Sequence, residues 1–369
     1  MENRKLPTES EVADWLRQDQ LSLAPLRFKL KQREVRFSDQ NRQWDFIIEA
    51  AWNDQTANFA VEYKTLFTPK VFDETLRICK SAILPEGYYP LILMPYLRQS
   101  QLDELERNSI SGVDWCGNGV VTVPDKYHVF RTGNRNQFAS YAPIKNIYRK
   151  NTSMVGRALL VKRRYSEVQD LRDEVNARNM LVACGEVTPM SFSTVSKALK
   201  GLEDDLIVDR QNGVRLLQSD KLLYELNLNY ELPRVTSIVS LKVDCGQREL
   251  PEFVREKAEL AMTPIVATGL SSVSRYAVMQ RDDVLAIYCP RSAELQKQLA
   301  ARETDRFPNL QIWETDEQRV YFDPRQEDNF PWSSPLQTYF ELMTGDKRDR
   351  ETADQVANFI LNNQGGTAE

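Results

Sequence analysis

Two carboxylates stand inside the most strand-prone stretch of the chain, and that placement constrains the fold more than any other feature. Trp44 to Trp52 (WDFIIEAAW) is apolar and β-prone, Asn53 to Asn58 (NDQTAN) is turn-forming, and Phe59 to Leu66 (FAVEYKTL) resumes a strand-like run, so the segment reads as a hairpin. Alternate residues share one face of a strand, so Glu62 and Lys64 project together, and the turn can bring Asp45 diagonally near them. Register decides whether they meet. Asp45 and Glu49 are costly in such a strand unless something binds them. Two carboxylates offer hard oxygen ligands to Mg²⁺, which lowers the pKa of a bound water, and Lys64 can hold that water or offset charge on a phosphate. The segment therefore carries two readings. One is phosphodiester hydrolysis, with Asp45 and Glu62 as metal ligands and Lys64 as the catalytic cation; the other is a half-exposed hairpin with ordinary surface ion pairs.

Composition narrows the chemistry. The one histidine, His128, lies in the strand-like Tyr127-His128-Val129-Phe130, which reads as a packed or surface position. Ser-His-Asp and Cys-His catalysis would have to use it, and multi-histidine metal sites are excluded. The five cysteines, Cys79, Cys116, Cys184, Cys245 and Cys289, show no CxxC spacing, so a zinc ribbon is excluded and reduced thiols are expected. The N-terminus has no hydrophobic signal region, and the longest apolar run, Tyr88 to Tyr96, is too short to span a bilayer. A cytoplasmic protein without membrane insertion is expected. Its 369 residues suggest two or three domains.

The formal charge is −5, yet no Asp or Glu occurs from Lys126 to Arg164. That stretch holds Lys126, Arg131, Arg135, Lys145, Arg149, Lys150, Arg157, Lys162, Arg163 and Arg164, with Tyr127, Phe130, Phe138, Tyr141 and Tyr148 interleaved. Cations beside aromatic rings suit a nucleic-acid footprint, and a solvated basic linker is the alternative. A helix around Met154 to Arg164 follows, then one containing Arg172 to Arg178. Ser191 to Leu202 then places Phe192, Val195, Leu199 and Leu202 at helical spacing behind a Ser191 N-cap. The opposite face carries Ser193, Thr194, Ser196, Lys197 and Lys200, short hydroxyls and lysines suited to a major groove. Leu206 to Arg210, the turn Gln211-Asn212-Gly213, and Val214 to Leu217 form a hairpin carrying Arg210 and Arg215. That order is expected of a winged helix-turn-helix, or of a helix and hairpin in a generic α/β core.

The C-terminal part reads as α/β, with strands at Ser237 to Val243 and Val284 to Tyr288 and a helix at Ala293 to Ala301. The loop Thr268-Gly269-Leu270-Ser271 lacks a P-loop lysine and reads as a helix cap. Ser333 to Leu342 opens an amphipathic helix, and Arg350 to Asn362 a last helix before a polar Gly-rich tail. No dinucleotide or P-loop fingerprint implies an organic cofactor.

Taken in order, five segments resemble one family. They are Asp45 with Glu62-Tyr63-Lys64; Ile110 to Gly119 (ISGVDWCGNG); the helix and hairpin Ser191 to Leu217; Ala267-Thr268-Gly269-Leu270; and Ser334 to Leu342 (SPLQTYFEL). The chain resembles the AbiEi-type antitoxins of type IV toxin–antitoxin (abortive infection) systems, in a longer form whose N-terminal domain is similar to a PD-(D/E)XK nuclease. The resemblance implies an α/β multidomain protein: a restriction-endonuclease-like α/β domain over residues 1–140, a winged helix-turn-helix with a basic linker over 141–232, and a C-terminal α/β domain over 233–369. It implies Mg²⁺ ligation by Asp45 and Glu62 and catalysis by Lys64 where that domain is active. It further implies DNA contacts from Ser193, Thr194, Ser196, Lys197 and Lys200 and from Arg210 and Arg215 on the wing, beside the basic Lys162, Arg163 and Arg164. The expected partners are double-stranded DNA, a cognate toxin or defence protein, and a second copy in a homodimer. Three functions stay open: an operon repressor that counters a toxin in phage defence, a Mg²⁺-dependent endonuclease, and an interaction scaffold with an inactive nuclease-like domain.

Overall fold

The computed structural model describes residues 5–37, 42–138, 146–279, 284–304 and 306–362. The protein is mixed α/β, with a large multi-stranded sheet and several helices, and divides into two compact units, Met1–Pro143 and Ile144–Glu369. Tyr141 and Lys145 of the basic segment and the Gly-rich tail lie outside the described residues.

In the first unit, α1 (Glu9–Arg17) starts at Thr8, and a capping box with Glu11 satisfies two helix-end donors. An antiparallel meander follows: β1 (Ser22–Leu23), β2 (Leu26–Arg36), β3 (Gln43–Trp52) and β4 (Gln55–Tyr63). The β3–β4 turn is tighter than the Asn53–Asn58 loop read from composition. Asn53 takes a left-handed φ of 52°, and pairing resumes at Trp52↔Gln55, because such a turn matches the twist of its strands. Then α2 (Pro69–Lys80), capped by Thr68, leads to β5 (Tyr88–Met94), and α3 (Gln99–Arg107) leads to β6 (Ser111–Asp114). Strands β4, β5 and β6 run parallel, and β7 (Gly119–Val123) and β8 (Tyr127–Arg131) complete an eight-stranded sheet in sequence order. One face packs Phe46, Ile48, Phe59 and Val61 with Val12 and Leu16 of α1. The other packs Ile47, Ala60 and Ile92 with Phe72, Leu76, Leu102 and Leu105 of α2 and α3. Burial on both faces explains why the central strands read as continuous apolar runs.

In the second unit, α4 (Ser153–Val161), β9 (Arg164–Tyr165), α5 (Val168–Ala177), the short α6 (Met180–Ala183) and α7 (Phe192–Asp204) precede the hairpin of β10 (Val208–Asp209) and β11 (Val214–Leu216) and then α8 (Ser219–Leu228). The hairpin takes β9 as its third strand, in the order β10-β11-β9. At Gly213, with φ 85°, a Cβ would stand 2.6 Å from the Tyr165 carbonyl oxygen, so glycine is needed there. The long connection from α5 to α7 is closed by Asn176, which accepts from Met190 N–H at 2.7 Å and donates to its carbonyl at 3.1 Å.

The rest of the unit adds β12 (Ser237–Lys242), α9 (Leu250–Leu260), β13 (Val266–Ala267), β14 (Leu285–Cys289), α10 (Ser292–Leu299), β15 (Arg302–Glu303), β16 (Leu310–Glu314), β17 (Arg325–Glu327), β18 (Phe330–Trp332), α11 (Pro335–Met343) and α12 (Lys347–Asn362). Five of these strands form a sheet in the order β13-β14-β16-β12-β15. Leu336 and Phe340 of α11 and Val356 of α12 share a core with Leu159, Leu199 and Leu222. One core thus crosses position 232, where the sequence suggests a boundary.

Candidate functional site

The parallel strands of the first unit end together, with Tyr63 beside Leu93 and Met94 beside Asp114. Lys64 continues the ladder by donating its N–H to the Leu93 carbonyl at 3.0 Å. Ligands of open α/β sheets bind at such carboxyl ends. The recorded antiparallel pairing of β3 with β4 runs to Phe46↔Val61, and Asp45, the next residue of β3, reaches β4 with its side chain. Asp45 Oδ2 accepts from the Tyr63 N–H at 2.7 Å and takes the place of a ladder acceptor. Glu62 is 5% exposed, and both its oxygens are engaged: Oε1 by Lys64 Nζ at 2.7 Å and Oε2 by Arg42 Nη2 at 3.0 Å. Sequence reading missed Arg42. Its guanidinium stands over the Trp44 ring, 5.4 Å from the centroid, and its Nε is buried without a hydrogen-bond partner among the described residues.

Asp45 is the least satisfied member of this cluster. Burial pushes its carboxyl up to about 6; the Tyr63 N–H opposes the rise, the Glu62 charge adds to it, Lys64 opposes it, and Glu9 at the start of α1 adds to it. Its Oδ1 has no partner among the described residues and is not one of the buried unpartnered atoms, so it is open to solvent. By contrast Glu49, which also looked stranded, pairs with Lys31 of β2 at 2.9 Å. A divalent cation would find here one half-buried carboxylate with a solvent-facing oxygen beside a second carboxylate, Glu62, that binds it only by releasing Lys64 or Arg42. Such an ion would have only two carboxylates, because no cluster of three or more His, Cys, Asp or Glu side chains gathers for a metal among the described residues.

Two other sequence features of this sheet are structural. Asp114, in the ISGVDWCGNG run, accepts four hydrogen bonds: from Cys116 N–H and Asn118 N–H at 2.8 Å, from Asn118 Nδ2 at 2.8 Å and from Leu97 N–H at 2.9 Å. It pins the β6–β7 turn to the loop after β5. His128 is exposed, 2.9 Å from the Thr122 hydroxyl and 3.1 Å from Glu106.

In the second unit, Ser191 caps α7 by accepting from Thr194 N–H at 3.2 Å. Val195, Ala198, Leu199 and Leu202 face the core. Ser193, Lys197 and Lys200 are exposed on one helix face, and neither lysine forms an ion pair among the described residues. Thr194 and Ser196 are half-buried, and the Thr194 hydroxyl lies 3.0 Å from that of Ser191, within the cap. Phe192, 47% exposed, opens the helix and lines a shallow cavity of about 310 Å³ together with Arg210, Gly213 and Glu167. The start of α7 therefore stands beside the hairpin turn.

The other cations expected here are partly committed. Arg210 approaches Glu203 at 3.9 Å, and Arg215 pairs with Asp209 at 3.4 Å. Arg164 is exposed and directly across from Arg215 on β9. Lys162 is exposed over the Tyr165 ring, whereas Arg163 donates to the Leu361 carbonyl at 2.7 Å and closes the end of α12.

Arg157 is not part of any surface patch. It is fully buried: Nη1 donates to the Arg319 carbonyl and to Gln337 Oε1, both at 3.0 Å, and the guanidinium stacks on Phe340. Gln337 Nε2 passes the connection to Glu341 Oε1 at 2.9 Å, which also accepts from the Tyr288 hydroxyl at 3.0 Å. Leu270 N–H donates to Glu341 Oε2 at 3.2 Å, so the Ala267–Leu270 and Ser334–Leu342 segments meet in one buried polar network.

Among the described residues no helix is long and apolar enough to cross a membrane. No protein-family model, curated protein or solved structure matches the chain.

Proposed function

We propose that the protein is a double-stranded-DNA-binding regulator of the type IV antitoxin kind, reading DNA through α7 and the β10–β11 hairpin as a winged helix-turn-helix. The observation that supports this most is the α7 face itself. Ser193, Lys197 and Lys200 stand exposed and uncommitted on a capped helix, between the supporting α5 and a hairpin that pairs with β9. Lysines without acidic partners are free to release counterions from phosphates, and a short hydroxyl lets the helix approach base edges. Half-buried Thr194 and Ser196 contribute less, and Arg210 and Arg215 engage phosphate by leaving Glu203 and Asp209.

A second activity rests on the Asp45, Glu62 and Lys64 cluster: Mg²⁺-dependent cleavage of a phosphodiester. The raised carboxyl of Asp45 beside Glu62 favours it. Asp45 and Glu62 would hold the cation, which supplies a water of lowered pKa, and Lys64 would offset charge on the phosphate.

One gel tests both. Wild type, Lys64→Ala and Lys197→Ala/Lys200→Ala are placed on supercoiled plasmid and on a duplex from upstream of the gene, with Mg²⁺ or with EDTA. A shift lost in the double lysine variant and kept in Lys64→Ala supports the DNA-binding reading; an equal shift for all three overturns the assignment to α7. Nicking that needs both Lys64 and Mg²⁺ supports cleavage, and its absence from wild type removes that activity.

A further inference from the structure

The cation-facing side of Glu62 is already taken. Arg42 holds Oε2 at 3.0 Å while Lys64 holds Oε1 at 2.7 Å, leaving that carboxylate no uncommitted oxygen for a metal. Asp45, the adjacent carboxylate, is the reverse: one oxygen is held by the Tyr63 N–H and the other faces solvent, with the Glu62 charge beside it. A divalent ion bridging the two must displace one of the two cations. Lys64 sits on the same strand two residues away, whereas Arg42 precedes β3 and reaches Glu62 across the hairpin. The guanidinium of Arg42 is also incompletely satisfied, because Nε is buried with no partner among the described residues. A planar fork of this kind matches phosphate better than it matches the single Glu62 oxygen it now contacts.

We infer that Arg42 is a built-in counter-cation that competes with a divalent metal for Glu62 and moves onto a phosphodiester of the bound nucleic acid, so that metal and nucleic acid bind cooperatively. This rests on the second reading above, that Asp45 and Glu62 accept a divalent ion. The exchange is purely electrostatic. Glu62 loses one positive partner and gains another, while Arg42 trades a carboxylate for a phosphate, and no covalent bond changes. Without substrate the metal site is held closed; with substrate, removal of Arg42 opens it. By linkage the metal must tighten nucleic-acid binding by the same factor.

The test titrates Mn²⁺ into full-length protein and follows the free ion by electron paramagnetic resonance, with and without a short phosphorothioate duplex. The proteins are wild type, Arg42→Gln, Arg42→Lys and Glu62→Gln, each checked for an unchanged thermal transition. The expected result is weak Mn²⁺ binding by wild type, at least about tenfold tighter binding by Arg42→Gln, an intermediate value for Arg42→Lys, and none for Glu62→Gln. Duplex should strengthen Mn²⁺ binding by wild type and change Arg42→Gln little. Equal Mn²⁺ affinity in wild type and Arg42→Gln, lost in Glu62→Gln, overturns the competition and leaves the metal site standing. No Mn²⁺ binding by any protein, Arg42→Gln with duplex included, overturns the metal-site reading and the inference with it. Should Arg42→Gln fail to fold, Arg42→Lys against wild type decides, and equal affinity there overturns the proposal.

Discussion

Each unit sets an arginine near a buried glutamate, and the two arrangements differ in how far the arginine is withdrawn from water and in whether the neighbouring carboxylates are fully engaged: Arg157 is buried, whereas Arg42 and Asp45 are only half-buried. Around Arg157, Gln337 joins the guanidinium to Glu341, the Tyr288 hydroxyl and the Leu270 N–H fill the carboxylate, and Phe340 covers the cation. At the strand ends of the first unit, Glu62 has its cations but Asp45 keeps an oxygen open to solvent, whereas a buried Nε–H without a partner among the described residues is common to Arg42 and Arg157. A buried glutamate is common to both and marks neither as functional. The closed set holds α11 against its neighbours, and the open one has capacity left for a ligand.

The sharpest break of that comparison is removal of a partner from the closed network. Glu341→Ala should cost the second unit about 3–5 kcal/mol in denaturant unfolding, because Arg157 is left as an unpaired buried charge. Removing both charges with Arg157→Met and Glu341→Gln should cost clearly less than the two single changes summed. Additive losses would mean that Gln337 does not couple them. A smaller effect is expected at Gly269. A Cβ there would stand 2.8 Å from Glu341 Cδ and from Thr338 Cα, so Gly269→Ala should cost about 1–3 kcal/mol by the same unfolding measurement.

The open cluster should respond in the opposite sense. Burial first, then the Glu62 charge, raises the Asp45 carboxyl from the ordinary 3.8 to about 6, against the Tyr63 N–H. A carboxyl whose folded value is raised favours the folded state fully below its unfolded value and loses that contribution as pH rises to the folded value. Asp45→Asn should therefore match wild type near pH 4 and exceed its stability above pH 6, by roughly 1 kcal/mol after solvent screening. Thermal melts across that range check it. A variant less stable than wild type at pH 7 would show that Asp45 belongs to a closed set after all.

How much of this was legible depends on sequence distance. The Thr8–Glu11 capping box, the Ser191 cap, the hairpin after α7 and the pairing of Glu62 with Lys64 are made within a few residues, and short-range rules reach them. Asp45 needed only the hairpin, whose tight Asn53 turn brings it to the Tyr63 N–H. Arg42 was invisible because its partner lies twenty positions on and its meaning comes from that meeting. Arg157 was counted with a basic stretch because charge tallies along a chain cannot register burial. Likewise SPLQTYFEL reads as amphipathic, yet Pro335 to Leu342 are all buried, with Gln337 and Glu341 held by partners from distant segments and the Thr338 hydroxyl buried without one among the described residues. The two-residue β9 is too short to show any alternation, and it supplies the third strand beside the hairpin.

The smallest change in stability, and the clearest extension of the contrast, is expected on α7. Lys197 and Lys200 have no carboxylate to lose, so Lys197→Ala and Lys200→Ala should leave the unfolding transition where it is. Each should lower the slope of log Kobs for DNA against log salt by about 0.9, since each released counterion counts separately. Arg215 is the matched control, because its partner Asp209 lies next to it across the hairpin at 3.4 Å. Part of any affinity gained on DNA is offset by leaving that carboxylate, so Arg215→Ala should reduce DNA affinity less than either lysine change. If Arg215→Ala costs more affinity than Lys197→Ala, the hairpin rather than the helix carries the binding, and an uncommitted cation is no guide to the site. If the order holds, the same criterion, a charged group open to solvent without an opposite charge of its own, serves for Asp45 in the first unit and for α7 in the second.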